Sequence, residues 1–163
     1  MPFLDDGLNE AVAETFAGEF DMLLGRRTYD IFAAYWPNHG DNSIGKAFNA
    51  ATKYVVTQSL DGLDWKKSEQ IGGDVVEAVR QLKASDGPVL QVWGSSKLLQ
   101  TLIAADLVDE FRIWQFPLVL GEGRRLFEKG VPPRGLTLVE TARTSLGVLI
   151  STYRPAGPVR LAR

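Results

Sequence analysis

The 163-residue sequence has no cysteine. Disulfides, thiolate metal sites and a cysteine nucleophile are therefore excluded. Histidine occurs once, as His39 between Asn38 and Gly40 in a turn-rich stretch, and a lone loop histidine reads as solvated rather than catalytic. There is no basic surplus, since 18 Lys and Arg are balanced by 20 Asp and Glu. A general nucleic-acid binder needs that surplus to neutralise phosphates, so none is expected as a partner. A local cluster gripping one small anion stays open. No apolar run approaches the roughly 18 residues of a membrane span, and nothing at the start reads as a signal peptide. The expected location is the cytoplasm, with no membrane partner.

What is present is ordinary for a globular protein: 45% hydrophobic and 23% charged residues, enough to bury a core. Apolar spacing predicts helices over 6–18, 27–35, from Val75 to Leu82 (with Asp74 as N-cap) and over 95–105. Short apolar or β-branched runs predict strands over 20–24, 53–57 and 88–93, and a short one near 66–69. "WPNHGDNSIG" (36–45) reads as a loop. "EFRIWQFPLVL" (110–120) reads as a longer strand that Pro117 kinks or places at an edge. Two antiparallel strands fill 136–154, and "PAGPVRLAR" follows as a loose tail. Helices alternate with strands to about residue 110, and strands then follow strands. This order predicts an α/β fold with a mostly parallel sheet and antiparallel strands at the end. One domain over 1–155 and a tail over 156–163 are expected.

In parallel α/β sheets, ligands lie at the carboxyl ends of strands, against helix N-termini. Three turns fit that position. Gly25-Arg26-Arg27-Thr28 combines a close-approach glycine, an arginine fork suited to phosphate and a hydroxyl; the alternative is solvated charge beside a turn glycine. Thr57-Gln58-Ser59 offers small donors suited to an adenosine ribose or its phosphate, or is simply a turn. Gly94-Ser95-Ser96-Lys97 could converge on a diphosphate, or Ser95 could be an ordinary N-cap. Two other motifs fail. "GDNSIGKA" nearly spells a nucleoside-triphosphate loop, but it has Ala47 where Ser or Thr binds the metal, and no strand precedes it. "GEGRRL" has Leu126 in place of the third glycine of a dinucleotide fingerprint.

"LLGRRTYDIF", "KYVVTQS" and "VLQVWGSSKLLQTLIAADLVDEFRIWQFPLVLGEGRRLF" together resemble the dihydrofolate reductase-like superfamily. The nearest branch is the reductase domain of the bifunctional riboflavin-biosynthesis deaminase/reductase. The resemblance spans about residues 8–153 and implies a three-layer sandwich with helices on both sheet faces. It also implies NADPH as the cofactor and hydride transfer to a small heterocycle, of pteridine or ribosylaminopyrimidine type.

By position, the resemblance gives Arg26 the adenosine 2′-phosphate and Thr28 the hydroxyl at the diphosphate, beside cofactor-binding Gly25, which lets the backbone come close. It gives Thr57, Gln58 and Ser59 the adenosine ribose and its phosphate, and Gly94, Ser95, Ser96, Lys97 and Leu98 the diphosphate turn. Trp36, Trp114 and Phe116 become candidate pocket walls or core aromatics. Arg124, Arg125 and Lys129 are candidates for a substrate phosphate. A homodimer is expected.

Three departures accompany the resemblance. Gly94 is followed by two serines where the family shows a glycine run. Asn9 stands where dihydrofolate reductases carry a carboxylate, which leaves the proton donor unassigned and admits a non-catalytic NADPH-binding sensor or scaffold. The family's first strand and "LDG" loop are missing ahead of the first helix, so a longer gene product or a strand exchanged from a partner chain is expected to fill the gap.

Overall fold

Met22, Leu23 and Leu24 are almost wholly inaccessible, at 0%, 1% and 0% exposure. A strand buried on both faces needs such a continuous apolar run, and it belongs at the centre of a parallel sheet. In the computed structural model, which describes residues 2–159, this run forms β1 (Phe20–Gly25). It lies between β2 (Lys53–Val56) and β4 (Val89–Val92), while β3 (Ser68–Ile71) pairs outside β2. All three pairings are parallel, giving the order β3-β2-β1-β4.

Helix α2 (Arg26–Tyr35) packs on β1 and β2, and α5 (Ser96–Ala104) packs on β1. Leu98, Leu102 and Ile103 of α5 are buried, each burial contributing about 1.5–3 kcal/mol. Helix α4 (Val75–Ala84) starts at Asp74, whose carboxylate accepts the Glu77 N–H, as its sequence predicts. These elements make one compact unit, residues 18–107.

A second compact unit contains residues up to 17 and from 108 onward. It holds α1 (Asp6–Thr15) and three antiparallel strands, β5 (Phe111–Gln115), β6 (Arg134–Arg143) and β7 (Leu149–Pro158), in the order β5-β7-β6. The α/β class and the parallel-then-antiparallel order are as expected, and the antiparallel strands hydrogen-bond as a sheet of their own. Asp5 joins two elements here. Its Oδ1 caps α1 at Leu8 N (2.8 Å), and its Oδ2 accepts Ser145 Oγ (2.7 Å) and Leu146 N (2.9 Å) in the β6–β7 turn.

Four local expectations are corrected. Residues 36–45 are not a plain loop: Trp36–Asn38 form a 3-10 turn, and α3 (Ser43–Ala50) begins within the stretch. Asn42 caps α3 by accepting the Gly45 N–H at 2.9 Å. Gly45, part of the near-miss triphosphate motif, packs so closely that a Cβ would collide with the His39 carbonyl. Second, the strand expected over 110–120 stops at Gln115, two residues before Pro117. Third, the short strand near 66–69 is centred later, at Ser68–Ile71. Fourth, β7 runs to Pro158, past residue 156 where a tail was expected; residues 160–163 lie outside the described residues.

Lys53, at the head of β2, is fully buried. Its Nζ donates to the Lys66 and Asn49 carbonyls (3.0 and 3.3 Å) and lies 4.1 Å from the Trp65 ring centre. Burial, assisted by the neighbouring charge of Lys67, pushes its pKa down to about 8. Trp65 anchors this region. Its N–H donates to the buried Tyr29 hydroxyl (3.0 Å), and its indole N–H donates to Asn49 Oδ1 (2.7 Å).

Candidate functional site

Because β1, β2 and β4 run parallel, their carboxyl ends share one rim. The register sets Gly25 opposite Val56 and Leu23 opposite Val92. The three polar turns marked in the sequence therefore leave the sheet at the same edge.

The first and third turns are bonded to each other. Gly25 N–H donates to Ser95 Oγ at 2.8 Å, and Ser95 N–H donates to Thr28 Oγ1 at 3.1 Å. The Ser95 hydroxyl in turn donates to the Trp93 carbonyl at 3.0 Å. Gly94 (φ 56°) and Ser95 (φ 52°) are both left-handed, a conformation that costs a non-glycine residue about 1–2 kcal/mol. A Cβ on Gly94 would stand 3.4 Å from the Thr28 side chain, and one on Gly25 would stand 3.5 Å from Ser95 Oγ. Glycine at both positions leaves the backbone between the turns uncovered by a side chain.

The reading of Ser95 as an ordinary N-cap is corrected: it begins α5 but supplies no side-chain cap, because its hydroxyl is turned to Gly25. Gly25 begins α2 and has no side chain to cap with. The other helices differ, since Asp5, Asn42 and Asp74 cap α1, α3 and α4 with their side chains. At the rim, the positive ends of two helix dipoles are left without side-chain caps, a setting that favours an anion.

The second turn is braced from β3. Gln70 Nε2 donates to the Thr57 carbonyl at 3.0 Å. Ser59 N–H donates to Thr57 Oγ1 at 3.3 Å, and Asp61 N–H donates to Ser59 Oγ at 3.1 Å. Gln58 and Ser59 are exposed. The loop that follows meets the first turn, for a Cβ on Gly62 would lie 3.0 Å from Arg26 Nη2. Arg26 also donates from Nε to Asp30 Oδ1 at 2.7 Å.

The structure thus brings together Gly25, Arg26, Thr28, Thr57, Gly94 and Ser95, with Ser96 and Lys97 in the first turn of α5. Leu98 is different: its side chain is in the core at 7% exposure, so only its backbone could face a ligand. Arg27 is exposed. Trp36 packs against the Phe32, Tyr35 and Phe48 rings, and Phe116 against Phe3. Trp114 is half-buried on β5, whereas Arg124, Arg125 and Lys129 are exposed between β5 and β6. His39 is exposed, stacked on Tyr35 with ring centres 3.7 Å apart.

Sequence reasoning missed Asp30, Gly62 and Gln70. For Asp30 a signal existed, the i,i+4 spacing from Arg26 on one helix face. For Gly62 and Gln70 there was none, because their partners are set by strand pairing.

Comparison with known proteins gives concordant matches. The uncharacterized protein YyaP of Bacillus subtilis (strain 168) is 32% identical over 143 residues, covering 85% of this chain and 76% of the relative. A crystal structure of a candidate riboflavin biosynthesis protein from Shewanella sp. PV-4 superposes with a TM-score of 0.68 at 22% identity, covering 93% of this chain and 80% of that one. A pyrimidine reductase-like protein from Corynebacterium diphtheriae superposes with a TM-score of 0.65 at 12% identity, over 94% and 83% of the two chains. RibD of Acinetobacter baumannii gives 0.57 at 13% identity, over 94% of this chain and 52% of that one. The model of the RibD C-terminal domain matches residues 4–150, nearly the whole chain, and with the YyaP match it establishes that this chain belongs to the RibD C-terminal domain family.

Proposed function

We propose that this chain is an NADPH-dependent reductase of a small heterocycle, of ribosylaminopyrimidine or pteridine type. Membership of the RibD C-terminal domain family supports a riboflavin-biosynthesis reductase-like activity. The observation that carries the NADPH reading is the stitched rim: Gly25, Thr28 and Ser95 bonded across two turns, at two helix N-termini without side-chain caps.

In this reading the backbone around Gly94 and Ser95, with Ser96, Lys97 and the Leu98 N–H, holds the diphosphate. Thr28 adds a hydroxyl, Arg26 meets the adenosine 2′-phosphate, and Thr57, Gln58 and Ser59 face the ribose. NADPH supplies the hydride, while the chain binds and orients. Arg124, Arg125 and Lys129 are proposed for a phosphate on the substrate. The expected location is the cytoplasm, consistent with the lack of any membrane-spanning helix among the described residues. A second copy is the proposed partner, supported by the exposed Leu136, Leu138, Val139 and Leu149 of the antiparallel sheet. Sedimentation should then give twice the 18.0 kDa chain mass.

The test is calorimetric titration with NADPH and NADH, followed by NADPH oxidation with pterins and ribosylaminopyrimidines. Tight binding of NADPH with turnover of one substrate class is the expected result, and absence of NADPH binding at millimolar concentration would sink the proposal. One observation favours a second reading, a non-catalytic NADPH-binding sensor or scaffold. Asn9, where the resemblance places a carboxylate, is exposed on α1 and has no carboxylic proton to give. Binding with no oxidation across the substrate panel would select that reading.

A further inference from the structure

An exposed ion pair within one turn of helix usually adds little to folding. The Arg26–Asp30 pair is of that kind, with side chains 35% and 52% exposed. Its geometry nonetheless constrains the guanidinium from two sides. Asp30 Oδ1 accepts Nε at 2.7 Å, which fixes the rotation of the planar group about its stem. On another side stands Gly62, whose backbone is so near that a Cβ would come within 3.0 Å of Nη2. Gly62 has φ 72°, a conformation that calls for glycine, and any Cβ there would press on the guanidinium. Arginine recognises phosphate through a planar fork of paired N–H groups, and its advantage depends on how that fork is held.

We infer that Asp30 and Gly62 are positioning residues that preorganise Arg26 for a phosphate monoester. This rests on the reading of Arg26 as the group that meets the 2′-phosphate, and it goes beyond it by assigning the selectivity to three residues. Asp30 acts here by geometry and against its own charge, since a carboxylate repels an incoming phosphate. A neutral acceptor at the same position should therefore serve as well or better.

The probes are 2′,5′-ADP and 5′-AMP, which differ only by the 2′-phosphate, titrated calorimetrically into the intact chain. The wild type should prefer 2′,5′-ADP, and Arg26→Ala should abolish the preference. Asp30→Ala should reduce it about three- to tenfold with 5′-AMP affinity unchanged, and Asp30→Asn should retain it. Gly62→Ala should behave like Asp30→Ala; should it fail to fold, the two Asp30 variants decide the matter alone. If Asp30→Ala keeps the wild-type preference, or Asp30→Asn loses as much as Asp30→Ala, the positioning role is overturned while the reading of Arg26 stands. A wild type indifferent to the 2′-phosphate overturns both.

Discussion

The Ser95 hydroxyl accepts the Gly25 N–H at 2.8 Å across 70 positions of sequence. This one bond ties the end of the central strand to the start of α5 and draws Ser95 into a left-handed backbone. Removing the acceptor leaves a part-buried N–H without it, at a cost of about 1–3 kcal/mol. Ser95→Ala should therefore lower stability by that amount in urea unfolding. Ser95→Gly loses the same bond but relieves the left-handed strain, so it should be the more stable of the two by about 1 kcal/mol. The reverse order would show that the left-handed backbone at Ser95 carries no strain, and no loss in either variant would show that the hydroxyl does not hold the turn.

Arg26 governs the choice of nucleotide in the proposed function. Arg26→Ala should weaken NADPH binding by about 10- to 150-fold, the equivalent of a charge-assisted contact of ~1.5–3 kcal/mol. NADH binding should barely change. Equal losses for the two nucleotides would remove Arg26 from the 2′-phosphate site.

Lys53 sets a pH signature. Its folded pKa of about 8 lies below the ordinary 10.5, so between these values the unfolded chain binds more protons. Stability from this group therefore rises as pH increases from about 8 to 10.5. Measured against Lys53→Met, the wild type should gain stability over that window. A difference between the two that stays flat with pH would mean that Lys53 titrates normally.

Asp5 gives the opposite signature. The Leu8 N–H first, then Ser145 and Leu146, lower its pKa from 3.8 to about 2. Its stabilisation is complete above the ordinary value and is lost as pH falls toward 2. The stability gap between wild type and Asp5→Asn should close over that interval, as followed by thermal melts in acid. A gap that persists at pH 2 would show that Asp5 acts through something other than its charge.

Much of the parallel unit was legible in the chain. Met22-Leu23-Leu24 could only be a strand buried on both faces, and Asp74 before Val75 and Val76 marked a helix start. Where local chemistry was ambiguous, legibility ended. Helix α3 is two turns long and begins among Asn, Gly and Asp residues, so its turn signals outweighed the apolar Ile44 and Phe48. The burial of Lys53 was not legible, because the carbonyls and the indole that cage it lie 4 to 13 positions away in sequence and converge only on folding. The strand expected to run through Pro117 to residue 120 stops at Gln115, because the proline has no N–H for a ladder.

For the site, residue types and their placement after strands were enough to mark all three turns. Hydrophobic period and turn chemistry are local properties, so the sequence by itself determined the elements, the alternation of strand and helix, and the polar turns at strand ends. Register, and with it the Gly25–Ser95 bond, the Gly62 wall behind Arg26 and the burial of Lys53, was decided only by the tertiary structure. Those contacts depend on which strand pairs with which, a choice made by the burial energy of the whole sheet and not by any short run of residues.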